Sequence, residues 1–201
     1  VDTNFETPRV MRTLIQRYSK QVQIRPLNRK YFKAEMEILR DIFNDAWSEN
    51  WGFIPLTEAE FAELGTSLRL LVSDELIQIA EVNGVPAAFM VVLPNLNEVF
   101  TQLNGSLFPF GLIKLIKKLK HGEIHTGRVP LMGVRKQFQN TPLGIALACM
   151  VIDAPKQATT ERGIKEVELS WILEDNKGMR GILDSIGSKQ YKRYRIYGKT
   201  L

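Results

Sequence analysis

The hydrophobic positions change their spacing along the chain, from the period of a strand to that of a helix and back. Residues 21–25 alternate polar and apolar as a strand does, and residues 31–47 place apolar side chains on one helical face. A second helix is predicted to run to about Leu71, because Thr57 and Glu60 form a capping box ahead of an apolar stripe. This mixture of helices and strands is typical of an α/β protein.

A β-hairpin is predicted around the pair Asn83-Gly84. Apolar runs at residues 76–82 and 86–93 flank this pair, and a type I′ turn needs the positive φ angles that asparagine and glycine adopt. The second run is almost wholly apolar, so we expect its strand to be central and covered on both faces.

The stretch from residue 128 to residue 176 organises the rest of the chain. It predicts a strand at 129–134, a polar loop at 135–142, a helix at 143–162 and a strand at 166–173. Amides at a helix start have no partner within the helix, and the helix dipole adds positive charge there. The layout therefore suits a phosphorylated ligand, although it also occurs in proteins that bind nothing there.

Single residues refine this stretch and the segment after it. Gly144, at the predicted helix start, lets a ligand approach the backbone closely. Pro155 is expected to kink or end the helix. Asn176 is predicted to cap a helix at 177–186, and residues 190–197 alternate as a final strand rich in tyrosine and arginine.

Three further segments carry candidate binding residues. Trp47, Asn50, Trp51 and Phe53 lie close together after the first long helix, as a substrate-pocket wall or as a loop pinned to the core by its rings. The basic segments at 112–121 and 189–199 suit a membrane surface, a nucleic acid or a cofactor phosphate. Neither is a strong nucleic-acid or membrane signal, since a helix lying on the sheet and an edge strand account for them as well.

Composition narrows the class of protein. The 201 residues are 44% hydrophobic and carry a net charge of +5, which predicts one globular domain at 21–201 after a lead-in at 1–20, with anionic partners favoured. No apolar run is long enough to span a bilayer, and a cytoplasmic location is expected. Cys149 is the only cysteine and there are 2 histidines, which argues against a disulfide, a zinc site or a serine triad. No metal is expected.

The order of elements and three sequence tracts resemble the GNAT acyl-CoA N-acyltransferase superfamily from about residue 21 to residue 201. The tracts are NDAWSENWGF at 44–53, SWILEDN at 170–176 and YRIY at 194–197, and together they look like a largely uncharacterised bacterial branch. The resemblance implies a mixed, mostly antiparallel twisted sheet with helices on both faces. It also implies acyl transfer from acetyl-CoA, or another acyl-CoA, to a small-molecule or peptide amine.

The resemblance also implies which residues hold the cofactor. In the family one strand splays from the next, the pantetheine arm pairs with its exposed backbone, and amides of the following loop hold the pyrophosphate. The matching residues are Leu131, Met132, Gly133, Val134, Gln139, Asn140, Thr141, Leu143, Gly144, Ile145, Ala146 and Asn176. The loop is longer here than in the family pattern, and Pro142 offers no N–H.

The usual catalytic residues of the family are not at their positions. Arg128 lies where many members have a glutamate base, and Leu183 where many have a tyrosine acid. Glu168, Glu81 and Tyr194 are the substitute candidates.

Two other functions stay open at this point. The first is a non-catalytic acyl-CoA-binding or scaffold domain of the same fold. The second is a nucleic-acid or membrane binder that uses the basic surfaces. The edge of the predicted strand at 190–197 could also pair with a second copy, which would make a homodimer.

Overall fold

A computed structural model describes residues 1–103 and 110–199, apart from the side chains of Leu70 and Lys120. Residues 200–201, the predicted end of the domain, lie outside this range. The described strands form one sheet of 5 strands in sequence order. They are β1 (Val22–Pro26), β2 (Ile77–Val82), β3 (Val85–Pro94), β4 (Thr126–Val134) and β5 (Glu166–Leu169). Neighbours pair antiparallel except β4 and β5, which pair parallel. The predicted mixed, mostly antiparallel sheet is confirmed.

Helices cover both faces of this sheet. They are α1 (Arg9–Tyr18), α2 (Phe32–Trp47), α3 (Glu58–Leu71), α4 (Asn97–Phe100), α5 (Phe110–His121), α6 (Pro142–Asp153), α7 (Lys156–Glu161) and α8 (Lys177–Ser185). Phe89 lies with Ile42 of α2 around Gly133, whereas the next residue, Met90, lies with Ile152 of α6. Successive side chains of a strand point to opposite faces, so α2 and α6 lie on opposite sides of the sheet.

Predictions that rest on residues close together in the sequence are confirmed. Asn83 and Gly84 have φ angles of 51° and 82°, as the predicted hairpin turn requires. Strand β3 is buried along its central part, with Phe89 and Val91 at 0% exposure. Thr57 and Glu60 form the predicted capping box.

The long helix predicted at 143–162 ends early. Helix α6 stops at Asp153, and α7 begins directly after Pro155. Pro155 lacks the N–H needed to continue α6, so the predicted early end is confirmed.

Residues 1–20 pack against the main sheet. Met11 of α1 is buried, and α1 contacts α6. Asp2 forms a β-bridge with Glu166, and the amide of Thr3 donates to the carbonyl of Lys165 at 2.9 Å. The outer edge of β5 is therefore covered by the start of the chain. The boundary between residues 20 and 21 stays a prediction.

One predicted strand is shorter than expected and another is absent from the described residues. The strand at 166–173 ends at Leu169, because Trp171 has a φ angle of 67° and turns the backbone away. Residues 190–197 are not a strand, and Tyr194 is 75% exposed. Their alternating pattern has no buried face to serve, since Asp2 and Thr3 occupy the β5 edge. The edge proposed for dimer pairing is thus not formed by the described residues, and a homodimer stays a prediction.

No helix among residues 1–103 and 110–199 has both the length and the apolar character needed to cross a membrane.

Candidate functional site

The site begins where β4 and β5 part. The two strands pair from Thr126 with Glu166 to Val129 with Leu169, and then separate. Pro130 follows on β4 and has no N–H to donate to a neighbour. Beyond this point a cleft of about 240 Å³ opens between β4, the start of α6, the segment at 170–173 and α8.

The second half of β4 turns backbone groups toward this cleft. In an antiparallel ladder, successive residues direct their N–H and C=O groups to alternate edges. The amide of Arg135 donates to the carbonyl of Ala87 on β3 at 2.9 Å. Residue 133 therefore shares that edge, while Met132 and Val134 direct their polar groups to the open edge beside the cleft.

Side chains already take both of the carbonyl groups at this open edge. The indole Nε1 of Trp47 donates to the Met132 carbonyl at 2.9 Å. The side-chain amide of Gln139 donates to the Val134 carbonyl at 2.8 Å. The amides of Met132 and Val134 remain directed at the cleft, so β4 offers donors there for the carbonyl oxygens of a ligand.

The loop at the start of α6 keeps most of its amides for itself. The amide of Gln139 donates to Lys136, that of Thr141 to Phe138, and that of Ile145 to the Thr141 carbonyl. The Gly144 amide donates to the Thr141 hydroxyl at 3.0 Å, which caps the helix.

Two amides of this loop are left for a ligand. Among residues 139–146, all of which the structure describes, only Asn140 and Leu143 offer a backbone N–H that has no hydrogen-bond partner. Pro142 between them has no N–H. The phosphate-binding surface predicted along 139–146 is thus narrower than the resemblance implies.

Gly144 serves the loop itself, which corrects the reason given for it from the sequence. A Cβ atom at this position would lie 2.0 Å from the carbonyl oxygen of Phe138. The glycine is therefore required because the protein's own backbone crosses the helix start, and a ligand's approach is not needed to explain it.

A polar cluster lies beside the closed end of the cleft, and Ser170 is its member that lines the cleft. Arg128 and Glu168 are cross-strand neighbours, with 3.6 Å between a guanidinium nitrogen and Oε1. The Ser170 hydroxyl accepts from Arg128 Nε and donates to the Val129 carbonyl, both at 3.0 Å. Hydrogen bonding to the Glu168 carboxylate raises the pKa of the Tyr191 phenol.

Two curated relatives match most of the chain. It is 49% identical over 191 residues to Protein YghO of Escherichia coli (strain K12), and 41% identical over 180 residues to the bacterial ceramide synthase of Caulobacter vibrioides. These matches cover 95% and 90% of this chain but 49% and 47% of the relatives, so the chain spans about half of their length. No protein-family model matches the chain.

Solved structures share the fold of the chain at low sequence identity. The aminoglycoside acetyltransferase AAC(6')-Iy, in complex with a CoA bisubstrate analogue, matches with a TM-score of 0.52 and 16% identity over 90% of this chain and 99% of that one. A GCN5-related N-acetyltransferase from Sphaerobacter thermophilus matches with a TM-score of 0.52 and 17% identity over 91% of this chain and 42% of that one. This chain has the GNAT fold.

Within the GNAT fold, the cleft gathers most of the predicted cofactor residues. The eight that line it are Met132, Gly133, Val134, Gln139, Asn140, Gly144, Ile145 and Asn176. The four that do not line it are Leu131, Thr141, Leu143 and Ala146. Asn176 caps α8 by accepting from the Met179 amide at 3.0 Å, which leaves its side-chain NH₂ group for a ligand.

The predicted substrate wall divides in two. Trp47 and Asn50 line the cleft, whereas Trp51 and Phe53 do not. Phe53 packs edge-on against Phe43, with ring centroids 5.6 Å apart, which is the pinned-loop alternative. Trp51 is 76% exposed.

The three predicted catalytic residues lie in different places. Glu168 comes directly before the lining residue Leu169 but does not itself line the cleft. Glu81 lies on β2, two strands from β4, where its carboxylate accepts from Arg25 at 2.7 Å. Hydrogen bonding to Glu35, which also pairs with Arg25, is the main cause of the raised Arg25 pKa. Tyr194 is exposed outside the cleft lining. Of the three, only Glu168 is next in sequence to a residue that lines the cleft, and all three catalytic roles stay predictions.

Residues that the sequence analysis did not name as cofactor, substrate or catalytic residues complete the cleft. Ser170, Ile172 and Met179 line it, and Leu183 is buried in its wall at 7% exposure. The only sequence signal for Ser170 was its place in the tract SWILEDN at 170–176. Its bonds to Arg128 and to the Val129 carbonyl depend on the pairing of β4 and β5.

Cys149, the lone cysteine, is buried as a free thiol. Burial raises the pKa of the Cys149 thiol to about 11, so the thiol stays protonated and is a poor nucleophile near neutral pH. Among residues 1–103 and 110–199 there is no cluster of ligands that could hold a metal ion.

Proposed function

We propose that this chain binds an acyl-CoA in the cleft between β4 and β5 and transfers its acyl group to an amine. The observation that carries the proposal is the open edge of β4 at Met132 and Val134. A strand edge inside a cleft pairs with an extended ligand that presents its own amide carbonyls. The pantetheine arm of CoA has that chemistry, and its two amide groups suit two donors on one side of a strand.

The start of α6 suits the phosphate end of the same ligand. The amides of Asn140 and Leu143 have no protein partner, and they lie at the N-terminal end of a helix of 12 residues. The helix dipole adds partial positive charge there. With the arm along β4, the Asn140 amide at the open end of the cleft and the Leu143 amide just outside its lining hold the pyrophosphate.

The reacting end then lies beside Glu168. Acyl-CoA supplies an acyl group that is activated as a thioester. Transfer joins the acyl carbon to the amine nitrogen and breaks the bond from that carbon to the CoA sulfur. Of the two protons that the ammonium loses, one goes to the leaving thiolate, which is released as the CoA thiol, and the other goes to a base. In this proposal Glu168 takes that proton through water. Arg128 positions the Glu168 carboxylate by pairing with it, and Ser170 holds Arg128 by a hydrogen bond. Orientation by the cleft supplies the rest of the rate.

The acceptor in this proposal is an amphiphilic amine. One relative is named a bacterial ceramide synthase, and a ceramide holds its acyl chain in an amide with a long-chain amino alcohol. Large apolar side chains are exposed at Trp171, which lines the cleft, and at Trp51 and Ile54, which follow the lining residue Asn50 in the sequence. Exposed apolar surface of this kind suits a lipid tail better than an aminoglycoside.

Calorimetry with acetyl-CoA and longer acyl-CoAs tests the cofactor part of the proposal. Ile145→Glu adds negative charge at the half-exposed start of α6, inside the cleft lining. Repulsion of phosphate should weaken binding on the order of tenfold. The matched variant Ile113→Glu, on the exposed face of α5, should bind as the wild type does.

An amine screen tests the transfer part. We expect amide formation on long-chain amines and little on polar amines of similar basicity. The absence of acyl-CoA binding to the wild type would overturn the whole proposal.

A non-catalytic acyl-CoA-binding domain is the second candidate function. One observation favours it: among the described residues that line the cleft there is no carboxylate, histidine or tyrosine. Saturable binding of acyl-CoA without transfer to any amine in the screen would support this alternative.

A further inference from the structure

A second, smaller cavity lies next to the cleft on the α6 side of the sheet. Its volume is about 30 Å³, and apolar side chains from the core of the sheet form its walls, among them Met90, Val92 and Val167. Val1, Thr3 and Phe5 line it on the side of the chain's first residues.

The two cavities share a wall. Val129 and Leu169 line both of them. These two residues are also the last pair of the β4–β5 ladder. The small cavity and the cleft are therefore neighbours, with this pair between them.

The direction of the ligand follows from the proposed function, on which this step rests. The phosphates lie at the start of α6, at the open end of the cleft. The arm runs back along β4 past Val134 and Met132, so the thioester comes to lie near Val129 and Leu169. The carbon chain of the acyl group then points at the small cavity.

We propose that this small cavity receives the acyl chain and that Phe5 sets how far the chain extends. Because about 10–15 Å³ of such space holds one water-sized group, the cavity has room for about two methylene groups. Acetyl leaves it empty, and butyryl fills it.

The covering segment is held from two sides. The Thr3 hydroxyl donates to the Ile164 carbonyl at 2.9 Å, and Asp2 forms a bridge with Glu166. The Lys156 ammonium lies 4.1 Å from the centroid of the Phe5 ring. These contacts hold the segment with Phe5 beside the cavity, and in this proposal the Phe5 ring is the end wall that limits the chain length.

Calorimetry with CoA and with acetyl-, butyryl- and hexanoyl-CoA tests this inference. Each buried methylene strengthens binding about fourfold, so butyryl-CoA should bind about 15-fold more tightly than acetyl-CoA. Hexanoyl-CoA should gain nothing further, because its chain meets Phe5.

Three variants change the size of the cavity. Val92→Leu and Val167→Ile each fill part of it and should reduce the advantage of butyryl-CoA to about fourfold. Phe5→Ala enlarges it and should make hexanoyl-CoA bind more tightly than butyryl-CoA. Val82→Leu, a similar change in a buried part of the sheet away from both cavities, should leave the chain-length profile of the wild type unchanged.

The outcomes separate this inference from the proposed function. Only variants that unfold at the same temperature as the wild type are compared. In all of them the affinity for CoA without an acyl chain should equal that of the wild type. Binding of CoA with a chain-length profile that none of the cavity variants alters would overturn the acyl cavity alone. No binding of CoA to the wild type would overturn the proposed function itself.

Discussion

The two halves of β4 are built differently. The first half, Thr126 to Val129, has a strand on each side, since β3 and β5 both pair with it. The second half, from Leu131 to Val134, has β3 on one side and the cleft on the other. One strand thus serves as a structural element at one end and as a binding edge at the other.

The two halves are also held by different contacts. Glu98 holds the first half, because its carboxylate accepts from the amides of His125 and Thr126 at 3.0 and 2.8 Å. Trp47 and Gln139 hold the second half through the carbonyl oxygens. An open strand edge can therefore persist inside a protein when side chains bond to its carbonyl oxygens and leave its amides free for a ligand.

The largest effect is expected at the closed end, from Glu168→Gln. If Glu168 takes the proton of the amine, kcat/KM for amide formation should fall by about 100-fold or more, since general-base catalysis contributes about 10²–10⁴. CoA affinity should not change. Glu166→Gln, on the same strand two residues earlier, is the matched control and should keep full activity. Equal rates for both variants would remove Glu168 from the mechanism.

The next effect is expected at the open end, from Gly144→Ala. The new Cβ would meet the Phe138 carbonyl oxygen at 2.0 Å, so the loop has to move. The free energy of unfolding should fall by about 1–3 kcal/mol, as for other overpacked sites. Gly181→Ala in α8, where a Cβ meets nothing within 4 Å, should leave stability equal or slightly higher. Chemical denaturation of both variants measures the difference.

Two proline substitutions distinguish the amides of the second half of β4 that face the cleft from those that bond to β3. Val134→Pro removes an amide that faces the cleft, and it should weaken CoA binding by up to about tenfold, the worth of one hydrogen bond, with little loss of stability. Gly133→Pro removes an amide from the ladder with β3 and should destabilise the fold. The ordering would be contradicted if Val134→Pro were the less stable of the two.

The smallest effect concerns the closed half and pH. Burial opposes ionisation of Glu98, but hydrogen bonds from His125 and Thr126 outweigh it, and the pKa is lowered from its ordinary value of 4.5. A lowered pKa in the folded state stabilises the fold above the ordinary value, and this stabilisation is lost as the pH falls through the folded value. Stability should therefore drop on acidification below about 4.5, and less so in Glu98→Gln. The exposed Glu123→Gln serves as control in urea unfolding at several pH values.

Elements that depend on neighbouring residues could be predicted from the sequence. The Asn83-Gly84 turn, the Thr57 capping box and the stop at Pro155 each follow from chemistry within a few residues. The GNAT fold followed from their order together with three short tracts.

Features that depend on distant pairing could not be predicted. Residues 190–197 have the pattern of a strand, but Asp2 and Thr3 occupy the edge of β5. Glu81 and Glu168 look alike in the sequence. Only the order of the strands separates them, since Glu81 on β2 pairs with Arg25 and Glu168 on β5 lies beside the closed end of the cleft.

Amide hydrogen exchange at β4, measured by NMR with and without saturating CoA, tests most directly whether the open edge of β4 is the cofactor site. In the free protein we expect faster exchange at Met132 and Val134 than at Leu131 and Gly133, whose amides bond to β3. On CoA binding, Met132 and Val134 should become protected while their two neighbours change little. Binding of CoA that leaves the exchange at Met132 and Val134 unaltered would contradict the claim that the open edge of β4 is the cofactor site.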